Sequence, residues 1–276
     1  MKPDRGARAF TVIEMLAGLT VLGIILLLMG QMTGLVNRAY GEGLGRVDNF
    51  TKSRAVLDLL ASDLRHAVLR PDLPAFQVGG AYTPGSGYAA GTATNAFYTL
   101  LPSITAAASP RGLSLVSYTV DAAGGPDKIA LWRADDAASW SDNASQVFQG
   151  SLAGPLANLQ RREMAPGVVG FQFLFRRQDG TVLAAYPGYS AANPVVSVGV
   201  ALAVIGNKAL DHLTTTPIDQ VGAIQSALAI PATASIASAK AYWDGTVLTA
   251  GFFAGYPKDL GSNLRTFERW IDCPAF

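Results

Sequence analysis

The chain has 276 residues, which is long enough for one large domain or two smaller ones with a substantial buried core. Its 21 Lys and Arg residues nearly balance its 20 Asp and Glu residues, and the formal net charge is +1. This balance creates no general field that attracts nucleic acid, so we expect no nucleic-acid partner. The only cysteine is Cys273, which excludes a disulfide within the chain. We expect an inert, partly buried thiol rather than a bond to another chain.

An apolar run near the amino terminus contains no charged side chain from Met15 to Asn37. About 20 apolar residues are needed to span a bilayer, whereas the apolar region of a secretory signal peptide has about 7–15. The run is therefore long enough to span a membrane. No small-x-small cleavage site stands out immediately after it, although the small residues between Gly30 and Gly34 keep removal of the whole segment open. A buried core helix is a third interpretation.

Three basic residues and one acidic residue precede the run: Lys2, Arg5, Arg8 and Asp4. This excess of positive charge predicts a cytoplasmic amino terminus and an exported carboxyl-terminal part. Glu14 lies inside the apolar stretch that begins at Phe10, where an ionised carboxylate is costly. Either Glu14 reaches water near the cytoplasmic headgroups, or it has a specific partner.

The string from Arg8 to Leu16 reads Arg-Ala-Phe-Thr-Val-Ile-Glu-Met-Leu. It resembles the cleavage and methylation motif of type IV prepilins and type II secretion pseudopilins, although most members have Gly where this chain has Ala9. The resemblance implies that prepilin peptidase cuts between Ala9 and Phe10 and methylates the new amine of Phe10. It also implies that Glu14 pairs with the amine of Phe10 on a neighbouring subunit. Such a pair lowers the cost of burying both charges in the membrane.

Apolar residues return at helical spacing further along the chain: Val56, Leu57, Leu60, Ala61, Leu64 and Val68. They predict a helix that continues from Phe10 and ends at Arg70-Pro71, about 90 Å in length. Gly41, Gly43 and Gly45 predict a bend or local melting within it.

The segment from Ser53 to Arg65 ends in Leu-x-x-Asp-Leu-Arg and resembles the periplasmic helix of the minor pseudopilin J family. From the residues alone, this helix has an apolar face toward the core and a solvated charged face.

Downstream of the helix, residues 79–110 are rich in Gly, Ala, Ser, Thr and Pro and are interpreted as a long loop. Predicted strands follow at Leu113–Asp121, Lys128–Arg133, Val169–Arg177, Thr181–Tyr186 and Val195–Ile205, with a hairpin turn at Asp179-Gly180. We expect short helices or loops over Ile218–Lys240 and a closing strand or helix over Leu260–Ile271. The order predicts an α+β fold with a mainly antiparallel sheet packed on the long helix, as in pilins.

The predicted organisation has four parts: a leader at residues 1–9, a transmembrane helix at 10–37, its periplasmic continuation at 38–70 and a β-rich domain at 71–276 with the insertion at 79–110.

Residues that carry chemistry are few. The two histidines, His66 and His212, show no metal-ligand spacing and no adjacent nucleophile. The segment Gly188–Ala192 lacks the second glycine of a nucleophile elbow. Four acidic residues cluster around predicted turns without EF-hand spacing, and we interpret them as solvated loop acids rather than a calcium site: Asp121, Asp127, Asp135 and Asp136. We expect no cofactor, no metal and no catalytic activity.

These features predict a single-pass protein of a bacterial inner membrane with a periplasmic carboxyl-terminal domain. The resemblance implies a minor, tip-type subunit of a type II secretion pseudopilus or type IV pilus-like filament, with prepilin peptidase and other pilins or pseudopilins as partners. The prepilin-like proteins of the Verru_Chthon cassette share this type of amino terminus. The alternative is a membrane-anchored periplasmic binding domain or an enzyme of unknown activity.

Overall fold

A computed structural model describes residues 11–70, 75–76, 94–101, 113–121, 129–138, 161–206, 224–231, 234, 236–247, 249, 251–256 and 258–273. Its described helices include α1 (Val12–Arg65), α2 (Ala239–Thr246) and α3 (Lys258–Asn263), with a helical stretch at residues 224–228 and a 3₁₀ turn at Phe252–Gly255. Its strands are β1 (Thr94–Thr99), β2 (Leu113–Asp121), β3 (Ala130–Ala138), β4 (Arg161–Pro166), β5 (Val168–Arg177), β6 (Val182–Leu183), β7 (Val195–Ile205) and β8 (Leu264–Asp272).

The chain divides into two compact units, Met1–Leu44 and Gly45–Phe276. The described part of the first unit is the amino-terminal portion of α1, and the second contains the rest of α1 and both sheets. The backbone is helical at Gly41, Gly43 and Gly45, so the predicted local melting is wrong.

Helix α1 ends earlier than predicted, at Arg65 rather than Arg70. The residues after it leave the helix because their backbone groups pair with strand β1. The Val68 N–H donates to the Tyr98 carbonyl at 2.8 Å, and the Leu100 N–H donates to the His66 carbonyl at 2.9 Å. This pairing replaces the hydrogen bonds that a further helical turn would supply.

Two four-stranded antiparallel sheets make up the second unit, in the orders β1-β2-β3-β4 and β6-β5-β7-β8. Strands β2 and β7 have the predicted bounds, and β5 begins one residue earlier than predicted. The predicted turn at Asp179-Gly180 is confirmed, since Gly180 has a φ of +85° and Asp179 Oδ1 accepts from the Thr181 N–H at 2.8 Å.

Other elements depart from the prediction. Strand β3 runs on to Ala138, while β6 keeps only two residues of the predicted Thr181–Tyr186 strand. Strand β1 lies within the predicted 79–110 loop, and β4 was not predicted. The segment Leu260–Ile271, predicted as a closing strand or helix, contains both elements. It includes the end of α3 and most of β8, because α3 leads directly into β8.

The apolar face of α1 packs into a core shared by both sheets. The six apolar residues predicted to share that face are all buried, and Leu60 and Leu64 have no exposed surface. Full burial of a Leu side chain stabilises the fold by about 1.5–3 kcal/mol. In the second sheet, β5 and β7 bury both faces, because the face opposite α1 forms a second core with Leu228, Trp243 and Leu260. The α+β class with antiparallel sheets is confirmed, with two sheets where the sequence predicted one.

Candidate functional site

The start of α1 is closed by reciprocal hydrogen bonds between Thr11 and Glu14. The backbone N–H and the hydroxyl of Thr11 both donate to Glu14 Oε2, each at 3.0 Å, and the Glu14 N–H donates to Thr11 Oγ1 at 3.4 Å. This is a capping box, in which two residues three positions apart satisfy each other's backbone donors at a helix start. Glu14 therefore has a local partner in addition to any partner on another chain.

The two oxygens of the Glu14 carboxylate differ in their surroundings. Oε2 accepts both hydrogen bonds from Thr11, whereas Oε1 accepts none from any residue in the described part of the chain. The side chain is exposed. The carboxylate can thus hold the helix start with one oxygen and accept a cationic donor with the other. Ala9 and Phe10, the predicted cleavage and methylation positions, lie outside the described residues.

The apolar part of α1 exposes its large side chains on all sides. The 30 residues of Val12–Gly41 are long and apolar enough to cross a membrane, and none of the segment's most apolar window is buried within the chain. At 1.5 Å per residue the segment is about 45 Å long, against a hydrocarbon core of about 30 Å. This exposure contradicts the third interpretation of the run, a buried core helix of this chain.

Polar hydroxyls within this segment bond to the helix itself. Thr20 Oγ1 donates to the Ala17 carbonyl at 2.8 Å, and Thr33 Oγ1 donates to the Met29 carbonyl at 2.9 Å. In a membrane every polar group needs a partner inside the protein, and these bonds supply one for each threonine.

A buried ionic network joins α1 to the first sheet. Asp63 on α1 is 1% exposed, and its Oδ2 accepts from Arg133 Nε at 3.0 Å. The same oxygen accepts a hydrogen bond from the Tyr118 hydroxyl on β2. Burial and the nearby Asp63 carboxylate raise the pKa of Tyr118 well above its ordinary value, and Arg133 opposes this shift. Tyr118 therefore remains a protonated donor.

Asp63 belongs to the Leu-x-x-Asp-Leu-Arg ending, but its buried role was not predicted. The sequence does contain a signal for it. Asp63 follows the buried Leu60 by three residues and precedes the buried Ala67 by four, which places it on the apolar face of the helix. A carboxylate on such a face needs a buried partner, and Arg133 provides the opposite charge.

The acids considered for calcium do not form a site in the described residues. The prediction of solvated loop acids is wrong for Asp135, because this residue is buried in β3. Its Oδ1 lies 3.2 Å from Arg133 Nη1. Asp121 lies at the end of β2 and Asp136 within β3, while Asp127 is outside the described part. The described residues contain no group of three or more His, Cys, Asp or Glu side chains that could hold a metal ion.

The candidate catalytic residues form no site in the described part of the chain. His66 lies just after α1, is exposed and has its Nδ1 2.8 Å from the Ser62 carbonyl, while His212 lies outside the described residues. Gly188–Ala192 forms part of the loop between β6 and β7, with Tyr189 exposed.

Cys273 is buried in the core shared by α1 and the sheets. Burial raises the pKa of its thiol to about 12. A thiol that stays protonated is a poor nucleophile, so this environment suits an inert side chain.

Together these features define an α+β protein whose single described apolar helix is able to cross a membrane, consistent with a single-pass membrane protein. No protein-family model matches the sequence, and a search of curated proteins finds no significant match.

Proposed function

We propose that this chain is a structural subunit of a type II secretion pseudopilus or type IV pilus-like filament, matured by prepilin peptidase between Ala9 and Phe10. The observation that carries the proposal is the start of α1. A carboxylate whose Oε1 accepts no hydrogen bond from the described residues lies four residues after the expected new amino terminus, at the head of an exposed apolar helix.

The charge chemistry supports an intermolecular role for Glu14. Cleavage before Phe10 creates a positive amine at the membrane, and Glu14 Oε1 is available to accept from such a donor. Pairing an amine with a carboxylate in a medium of low dielectric reduces the desolvation cost of both. The amine of another subunit meets this requirement while Thr11 still closes the helix.

The remainder of the chain supports a scaffold role. The domain is an α+β unit built on the carboxyl-terminal part of α1 and held by packing and by the buried Asp63–Arg133 pair. A bulky domain is easier to accommodate once at a filament end than at every helical step, which favours a minor, tip-type subunit.

The test is co-expression of the full chain with prepilin peptidase, followed by membrane extraction and intact-mass and amino-terminal analysis. We expect a mature chain that begins with N-methylated Phe10. The matched control is the same chain with an inactive peptidase, which should retain the residues 1–9 leader. A chain that keeps Met1 with the active enzyme, or is cut after the apolar run, overturns the proposal and leaves an anchored or secreted domain.

A further inference from the structure

Strand β8 forms one edge of the second sheet. It pairs with β7 along all nine residues, from Leu264 opposite Ile205 to Asp272 opposite Ser197. None of the described strands pairs with its other side. An edge strand presents a row of backbone N–H and C=O groups that can pair with another extended chain.

The two faces of β8 have different neighbours. Glu268 and Trp270 face α2 and the second core, where Glu268 accepts from Ser238 Oγ at 2.7 Å and from the Lys240 N–H at 2.8 Å. Phe267 and Arg269 face α1, where Arg269 pairs with Asp58. Phe267 and Arg269, on the side of β8 nearest α1, are half-buried and therefore still partly accessible to a partner.

A groove of about 410 Å³ lies between α1 and β8. Its apolar side chains are Phe50, Leu57 and Phe267, and the rings of Phe50 and Phe267 are 6.3 Å apart. Phe50 is 57% exposed although it lies on the part of α1 that belongs to the folded domain. An exposed aromatic ring beside an unpaired strand edge is typical of a binding surface rather than of a solvated face.

The four charged residues that line the groove have formal charges that cancel, but the three on the side toward α1, Arg54, Asp58 and Arg269, leave one positive charge in excess. Asp58 is shared by two arginines, through a close contact with Arg269 and a 4.0 Å contact with Arg54. The fourth charged residue, Glu268, keeps its negative charge but lies on the opposite face of β8, where its carboxylate accepts from Ser238 Oγ, the Lys240 N–H and Trp270 Nε1. Arg54 is 74% exposed, and its one ion pair with a described residue is the long contact to Asp58. Its guanidinium is therefore available to a carboxylate.

We propose that the groove between α1 and β8 is a docking site for an extended segment of a partner protein that carries an acidic residue among apolar ones. The segment adds to the free edge of β8 through its main chain. Its apolar side chains contact Phe50 and Phe267, and its carboxylate binds Arg54. This inference does not depend on the proposed filament function, because it uses only contacts within the domain.

The test uses the full chain in detergent and a blocked nine-residue peptide of alternating Val and Thr with a central Glu. We expect saturable binding by fluorescence anisotropy and slower amide hydrogen exchange in β8. A peptide with a central Lys should bind on the order of tenfold more weakly, because it places like charges together. A peptide N-methylated along both edges should not bind, because it cannot pair with a strand.

The substitution Arg54→Glu should reverse the preference between the Glu and Lys peptides. Arg65→Glu, the same change at an exposed position at the end of α1, should leave it unaltered. Absence of saturable binding of the Glu peptide, equal affinity for both peptides, or protection at a strand other than β8 overturns the inference. If the chain forms dimers in which β8 is protected from exchange, and Phe50→Ser disperses those dimers, the occupant of the groove is a second copy of the chain. That result also overturns the inference.

Discussion

At the scale of single residues, position on a helix decides what an acidic side chain does. Glu14 and Asp63 lie on the same helix, but Glu14 closes its exposed start and Asp63 is buried against two strands. Asp58, only five residues before Asp63, lies at the exposed rim of the groove. The same chemical group is therefore a cap, a buried ion-pair partner or a surface contact.

For Glu14 we expect charge and capping to be separable. Glu14→Gln keeps an oxygen that accepts from Thr11 but removes the negative charge, so the leader should still be cleaved while co-purification with partner pseudopilins falls. Thr11→Val is the matched control, because it removes the hydroxyl and keeps the carboxylate. Both variants would be assayed by amino-terminal mass and by pull-down after co-expression. Unchanged co-purification of Glu14→Gln would contradict an intermolecular role for its charge.

The substitution Asp63→Asn should destabilise the domain by about 1–3 kcal/mol, because it removes the charged acceptor of Arg133 and Tyr118 while Asp135 remains beside Arg133 as a counter-charge. The control is Asp58→Asn on the same helix, whose exposed pairs contribute at most about 1 kcal/mol. Urea unfolding of the two variants in one detergent measures the difference. Equal losses would show that the buried pair is no more important than the surface pair.

The Cys273 thiol should make stability fall as the pH rises. Its folded pKa of about 12 lies above its ordinary value of 9.0, so the folded chain binds this proton more tightly than the unfolded chain. Its contribution is fully present below pH 9 and is lost progressively between pH 9 and 12. The free energy of unfolding should therefore fall less between pH 8 and pH 11 in Cys273→Ala than in the unaltered chain, when each protein is compared with its own value at pH 8. Parallel pH profiles would contradict this.

At the scale of elements, strands with two buried faces were predicted well and short edge elements were not. The bounds of β7 follow from a run that is apolar except at Ser197 and Gly199 and whose alternate apolar residues enter the two cores. Strand β1 has fewer such residues and lies in a stretch whose small residues predicted a loop. It forms because β2 pairs with all six of its residues. Such pairing depends on contacts between distant parts of the chain, which periodicity does not report.

Gly170 in β5 provides a test of the second core. A Cβ added there would lie 2.8 Å from Leu228 Cδ1 and 3.1 Å from Ala203 Cβ. Gly170→Val should therefore destabilise the domain by about 1–3 kcal/mol through overpacking. Gly245→Ala in α2 is the control, since no atom lies within 4 Å of its added Cβ, and it should be neutral or slightly stabilising. Both are measured by the urea midpoint, and an unaltered midpoint for Gly170→Val would mean that Leu228 does not pack there.

At the scale of the whole molecule, one helix serves two environments. Residues 12–41 of α1 expose apolar side chains, whereas five of its apolar residues further along are buried in the core with the two sheets: Val56, Leu57, Leu60, Ala61 and Leu64. The first portion is long and apolar enough to cross a bilayer, and the second packs within the domain. This division explains why a chain of ordinary charge contains so long an apolar run.

The membrane role of that first portion can be tested at Leu26, near its centre. Leu26→Arg should cost about 2.5–3.5 kcal/mol of insertion free energy and reduce the fraction that resists carbonate extraction from membranes. Leu26→Ala is the control, since it shortens the side chain without adding charge. Equal membrane fractions for Leu26→Arg and the unaltered chain would show that this segment does not cross the bilayer.

Local patterns in the sequence were enough to predict the apolar helix, its buried face, the α+β class, the Asp179-Gly180 turn and the longest strands. Each depends on the spacing of residues near one another in the chain. Tertiary structure alone decided the end of α1 at Arg65, the division into two sheets, the burial of Asp135, the pairing of Asp63 with Arg133 and the groove beside β8. These features join residues far apart in sequence, and their free energy arises only when the separate elements meet.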